Sequence, residues 1–223
     1  MRFFLHLLVP FLILSATGCT MSKHSTISSL HSWQSQSDLK KLKKESVQGN
    51  GDKSILIAYY YADVKNDLDE TMFWYRLSAE QGNKEAALML GFYYSHVFKK
   101  PEKGILWYKT VGDYRPDYVH YRLGEVYLNN KSYKEARSHF CSAYLLGLSH
   151  EDYAVLSFLE EVFDAENDFI SALSVRILNK KKLTKGSWAD REIDKEMAEL
   201  KAKLTQDDIV AAENIANSNK LCM

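Results

Sequence analysis

The chain has 223 residues, 46% of them apolar and 26% charged, with 29 basic side chains against 29 acidic ones. Zero net charge excludes a general nucleic-acid binder, which needs a basic excess to displace phosphate counterions. The apolar share excludes disorder over most of the length. With 10 Gly and 3 Pro there is too little turn punctuation for an all-β sandwich or barrel.

Arg2 is the only charge among the first nineteen residues, followed by an apolar run from Phe3 to Leu14 and then Ser15-Ala16-Thr17-Gly18-Cys19. Spanning the ~30 Å hydrocarbon core takes ~20 residues; this run is shorter and fits a secretory signal. Ala16-Thr17-Gly18-Cys19 resembles the lipobox of bacterial lipoproteins, although Leu is commoner at the position of Ala16. That resemblance implies cleavage of residues 1–18 and acylation of Cys19, through its thiol and then its new amino group. Several acyl chains on one residue hold far better than one, since each buried CH₂ contributes about 0.8 kcal/mol. Thr20 follows the cysteine, which under the same resemblance implies the periplasmic face of the outer membrane. An ordinary secretory signal or an uncleaved anchor are the alternatives. Residues 19–37 include many Ser, Thr, Gln and His and read as a tether with a mean reach of about 25 Å.

From there a period of 33 dominates. Trp74-Tyr75 recurs as Trp107-Tyr108, and Leu90-Gly91-Phe92-Tyr93-Tyr94 recurs as Leu123-Gly124-Glu125-Val126-Tyr127. One period earlier stands Ile57-Ala58-Tyr59-Tyr60-Tyr61, and Gln48-Gly49-Asn50 precedes Gln81-Gly82-Asn83 by the same step. His139-Phe140 replaces the Trp-Tyr pair at a spacing of 32, and Arg115 stands where Gly82 and Gly147 punctuate the other units. Gly inside a helix costs about 1 kcal/mol against Ala, so its recurrence at 91 and 124 calls for close approach of a partner helix, with Trp74 or Trp107 filling the space beside it. Gly82 and Gly147 suit left-handed helix ends.

The stretch from Met72 to Gly91 resembles the Sel-one-like repeat, a relative of the tetratricopeptide repeat, and the likeness runs over about residues 40–148. It implies an all-α, right-handed solenoid of antiparallel helix pairs. We expect the solenoid over 38–180, with capping helices over 181–223. Helices are expected over 150–163 and 167–180, the first started by Ser149 to Asp152. A further helix is expected from Ser187 to Leu204, anchored by Trp188, and a last one to about Ala216 opened by the capping box Thr205 to Asp208.

No catalytic constellation is assigned. Ser37-Asp38-Leu39-Lys40 matches the Ser-x-x-Lys of penicillin-interacting enzymes, but its companion motifs are absent. The seven His (His6, His24, His31, His96, His120, His139, His150) form no helical metal pair, and no Gly-rich phosphate loop or cofactor motif occurs. His96 and His120 are placed to meet across neighbouring helices, read as an interhelical hydrogen bond rather than metal ligands. A disulfide between Cys141 and Cys222 is chemically open in an exported protein; two free thiols, one buried and one at a frayed end, are the favoured reading.

By the resemblance, the first helices of the pairs line a groove. The stripe offset from their packing side is Leu56, Tyr60, Asp63, then Met89, Tyr93, His96, then Arg122, Val126, Asn129. Its mixture of aromatic, charged and amide groups suits a peptide or glycan. The expected function is a lipid-anchored periplasmic adaptor for another envelope protein or for a cell-wall or exported polymer, without enzymatic activity, metal or cofactor. The alternatives are an envelope hydrolase or β-lactam-acting enzyme, and a self-assembling structural lipoprotein.

Overall fold

A computed structural model describes residues 36–147, 152–218 and 220–223. The expected signal segment, Cys19, nearly all of the tether and the helix start at Ser149 lie outside the described residues. Eleven helices and no strand occur among those described: α1 (Gln36–Ser46), α2 (Gly51–Tyr60), α3 (Leu68–Glu80), α4 (Lys84–Phe92), α5 (Pro101–Thr110), α6 (Pro116–Asn129), α7 (Tyr133–Leu145), α8 (Asp152–Glu166), α9 (Phe169–Lys182), α10 (Trp188–Lys201) and α11 (Gln206–Ser218). Helix α1 starts two residues before the expected 38.

The two turns of each unit are built the same way each time. Where a second helix hands over to the next first helix, a residue with positive φ stands at Gly49 (96°), Gly82 (89°), Arg115 (49°) and Gly147 (74°). Arg115 thus keeps the left-handed conformation of the glycines it replaces, at a steric cost of about 1 kcal/mol. Where a first helix hands over to its second, Asn66, Lys99, Lys131 and Asn167 take φ of 52–58°. The residues around the glycines then do separate jobs. Asn50 and Asn83 cap α2 and α4, accepting from the amides of Lys53 and Ala86. Gln81 accepts from Ser54 Oγ and donates to the Ser46 carbonyl, while Ser78 donates to the Gly51 carbonyl, so one polar knot ties α1, α2 and α3.

The recurrent glycines are contact points, as the sequence demands, but the ring that meets them is the second of each aromatic pair. A Cβ on Gly91 would lie 2.5 Å from Tyr108 Cε1, and one on Gly124 would lie 2.6 Å from Phe140 Cδ1. Tyr108 and Phe140 are wholly buried. Trp107 is half-buried against the cluster that contains Tyr108, which corrects the assignment of Trp to that space.

Past the small residue, Ala58 in α2 and Gly91 in α4, each helix widens into a π turn, Tyr61–Lys65 and Tyr93–Val97. A π turn holds one residue more than the α-helix it interrupts. Helix α6 runs regularly to Asn129 without one. The residue missing there accounts for the shortened spacing of 32: Lys99 to Lys131 is 32, as is Trp107 to His139.

The core is layered along the stack. One cluster joins α1 to α4 around Ile57, Tyr75 and Leu90. A second lies among α4, α5 and α6 around Leu88, Tyr108 and Leu123. The largest runs from α6 to the C-terminus, with Phe140 and Phe158 stacked at 5.1 Å. Ser187 caps α10, and Thr205 and Asp208 exchange backbone and side-chain bonds at the start of α11. Trp188 is not the anchor of α10: it is 73% exposed, and Ile193 and Leu200 are buried instead.

The thiol reading is also corrected. Cys141 and Cys222 form a disulfide, with Cα atoms 5.3 Å apart across 81 residues of chain. The end is not frayed: Leu221 is buried in the largest cluster, and Lys220 donates to the Ile215 carbonyl. Ala212 and Ala216 let α11 approach α9, where Ser174 Oγ donates to the Ala212 carbonyl. Burial of Leu221 brings its neighbour Cys222 back to α7.

Candidate functional site

Helices α2, α4 and α6 are the first members of three successive pairs, and the expected groove stripe runs across them. Leu56 and Met89 are half-buried. Tyr60 is half-buried, with the Tyr61 ring edge-on at 5.5 Å and Lys65 Nζ at 5.7 Å from its ring centre. Asp63 is exposed in the first π turn. Burial, and then the negative charge of Asp63, raise the pKa of the Tyr93 hydroxyl, so it stays protonated and able to donate. Tyr93 packs at 5.6 Å from the fully buried ring of Tyr75. Asn129 is exposed at the end of α6.

Val126 does not belong to the stripe. It is 2% exposed and packs in the second core cluster. Its side of α6 faces the cluster that contains Leu88, Tyr108 and Leu123.

In its place stands Glu125, on the residue row that also contains Tyr59 and Phe92. Arg122 Nη1 donates to Glu125 Oε2 at 2.8 Å, and Arg122 Nε donates to the Tyr118 hydroxyl at 2.8 Å. The guanidinium carbon lies 4.8, 5.3 and 5.4 Å from the ring centres of Tyr118, Tyr121 and Phe92. Burial works against the charge, but Tyr118 and Glu125 outweigh it, so the guanidinium is held charged. His96 completes the platform, stacked on Phe92 at 4.9 Å with Nε2 4.0 Å from Glu125. Burial lowers its pKa ahead of the upward pull of Glu125. The imidazole is therefore neutral at neutral pH, and the 4.0 Å contact is not an ion pair.

His96 does not meet His120. The partner of His120 is His139, with Nδ1 atoms 2.9 Å apart, and His139 stacks on Tyr127 at 5.3 Å. Such a bond needs one ring as donor and the other as acceptor, so the two cannot both be protonated. Burial, then His120, then Lys109 push His139 down to about 4, and burial lowers His120. A histidine whose pKa is lowered on folding gives stability that is full above the unfolded value of about 6.5 and lost as pH falls toward about 4. Both rings are partly solvated, so the expected loss between pH 7.5 and pH 4.5 is roughly 1–2 kcal/mol. Urea unfolding of wild type and His139→Phe checks this. A variant losing as much as wild type over that interval would show that the pair is not the cause.

The residues that sequence reasoning missed are Phe92, Tyr118 and Glu125. The i, i+3 and i+4 spacings of Arg122 to Glu125, Tyr118 to Arg122 and Phe92 to His96 were the available signal. No group of three His, Cys, Asp or Glu placed to hold a metal occurs among the described residues. No helix among them is long and apolar enough to cross a membrane. The side chain of Ser37 lies outside the described residues.

Among solved structures, the chain is similar to a protective antigen present in uropathogenic Escherichia coli strains, whose crystal structure displays an SLR fold. The likeness has a TM-score of 0.56 at 21% identity and covers 81% of this chain. The chain has the SLR fold. It spans 40% of the length of that antigen. No protein-family model matches the chain, and no curated protein does. Within the SLR fold, α2/α3, α4/α5, α6/α7 and α8/α9 are the stacked pairs, and α10 and α11 close the stack.

Proposed function

We propose that the protein is a non-catalytic adaptor that holds a partner polypeptide or an exported polymer against the face made by α2, α4 and α6. The observation that supports this reading is the platform of Phe92, His96, Arg122 and Glu125, flanked by Tyr60, Asp63 and Tyr93. The platform is assembled from two successive pairs, with a third at its flank, and is fixed by internal bonds before any ligand arrives. A surface organised in advance avoids much of the ordering cost of binding, and its mixture of rings and charges resembles the composition of polar interfaces. SLR stacking supplies the rigidity, because each pair buries its apolar face on the next.

The same reading places the protein at the outer membrane, tethered through acylated Cys19 on the periplasmic face. The Cys141–Cys222 disulfide supports an oxidising compartment, since such bonds are rare in reducing cytosol. Crosslinking in cells, with Tyr60→Ala and Asp63→Asn as the variants, tests the face. These residues lie outside the buried ion pair, and unchanged circular dichroism confirms that the variants fold. The expected result is loss of at least one crosslinked partner that wild type retains. An unchanged partner set would discard the groove assignment. Labelling with radioactive palmitate, absent in Cys19→Ser, checks the anchor.

A further inference from the structure

At the closing end of the stack, α8, α9 and α10 enclose a cleft of about 500 Å³. Five carboxylates line it, including Glu160, Glu161, Glu192 and Glu196, and a single guanidinium lies beneath them. That guanidinium, Arg176, is 7% exposed and is shared among Asp164 at 2.7 Å, Glu160 at 3.1 Å and Glu196 at 3.5 Å. Lys195 Nζ lies 3.5 Å from Glu192 at the rim, so two cations against five carboxylates still leave a local excess of negative charge. Glu160 registers it: burial raises its pKa, and the repulsion of Glu196 and Asp164 adds to that against the pull of Arg176.

A second observation points to a ligand. Asn179 lines the same cleft and is 4% exposed, and its Nδ2 donates to Glu160 Oε2 at 3.2 Å. Its Oδ1 has no hydrogen-bond partner. A buried amide oxygen without a donor costs about 1–3 kcal/mol, and here it lies beside carboxylates that also only accept. The cleft floor therefore holds an acceptor without a donor, among carboxylates that outnumber the cations Arg176 and Lys195.

The rim adds the third element. Trp188 lines the cleft yet is 73% exposed. It is held there by a fixed turn, not by packing. The Gly186 amide donates to Asp190 Oδ2, Arg191 donates to the Gly186 carbonyl, and Ser187 caps the helix that Trp188 begins. An exposed indole beside carboxylates suits an organic cation, by cation–π attraction to its head and by contact with its apolar stem. Leu183 and Ile193 supply further apolar wall.

We infer that this cleft binds a lysine or arginine side chain of a partner polypeptide, its aliphatic stem on Trp188 and its charged head donating to the Glu160–Asn179 floor. A side chain fits better than a bare inorganic cation. Among the described residues no group of three His, Cys, Asp or Glu is placed to hold a metal ion, and such an ion would make no use of the indole. The site lies on other helices than the face proposed above and goes beyond it.

The test is fluorescence anisotropy with a labelled Gly-Arg-Gly-Lys-Gly-Arg-Gly peptide and the full-length protein. A peptide with Glu in place of each cation serves as control. The expected result is binding of the basic peptide only, weakened at least fivefold by Trp188→Ala and about tenfold by Glu161→Gln with Glu192→Gln. Neither variant touches the Arg176 cluster, and unchanged circular dichroism confirms folding. Tyr60→Ala is expected to leave the peptide affinity unchanged, which separates this site from the α2–α4–α6 face. Absent binding, or binding indifferent to Trp188 and to both carboxylates, would overturn the proposal. Displacement by spermidine at concentrations below those of the peptide would also overturn it, by assigning the cleft to small polyamines.

Discussion

Arg122→Ala is expected to lower the unfolding free energy by about 3 kcal/mol, toward the lower end of the 3–5 kcal/mol typical of a broken buried pair. The side chains of Arg122 and Glu125 are 14% and 15% exposed. Removing one leaves the other charged and poorly solvated, which costs more than the pair contributes while intact. The truncation also empties the space between Phe92, Tyr118 and Tyr121 that the guanidinium occupies and leaves the Tyr118 hydroxyl without its donor. Two controls separate these effects. Arg122→Met keeps the stem and loses the charge, so it should cost nearly as much as the alanine variant if charge dominates. Arg122→Met combined with Glu125→Met removes both charges and should recover to within about 1 kcal/mol of wild type. Denaturant unfolding reads all three. A loss below 1 kcal/mol for Arg122→Ala would show that water reaches the pair. The consequence for function is practical: Arg122 is a poor probe of ligand binding, because its loss disturbs the platform itself.

Breaking the Cys141–Cys222 bond should have the larger effect. Closing a chain of 81 residues removes disorder from the unfolded ensemble worth about 4 kcal/mol on the chain-entropy account. Cys141→Ser, Cys222→Ser and chemical reduction should each give the same loss within error, since each removes the same crosslink. Thermal unfolding with and without reductant measures it. Amide exchange adds the location: protection should fall first in α11 and around Leu221, which the bond holds against α7 and α9. Equal melting temperatures in the two conditions would mean that packing of Leu221, Ala212 and Ala216 alone secures the end.

The repeat was legible because its signals are local. Gly91 and Gly124 are intolerant of a side chain, Gly49, Gly82 and Gly147 terminate helices with positive φ, and Thr205 with Asp208 caps a helix within four residues. The caps depend on near neighbours in sequence, and the two interior glycines recur at the period of the repeat, so spacing alone reveals them. Even the irregular step of 32 was visible, although its meaning was not. A dropped residue in a string does not say whether a turn has been shortened or a π turn lost.

The groove was only partly legible. Val126 turns inward, 2% exposed in the core cluster among α4, α5 and α6. Glu125 then supplies the charge that Arg122 needs. Trp188 shows the opposite failure. A large ring at the start of an amphipathic helix reads as an anchor, yet a fixed turn holds it out beside a group of carboxylates drawn from α8 and α10.

The sequence by itself determined the all-α class, the helix pairs, their period and the glycines at which they touch, since caps are local and a glycine recurring inside a helix marks a close approach. Tertiary structure alone decided which half-buried charges meet, whether two cysteines 81 residues apart close a bond, and which rings stay in water. Those outcomes depend on how successive helix pairs rotate and stack, and that rotation is a sum over the whole array that no single stretch of residues encodes.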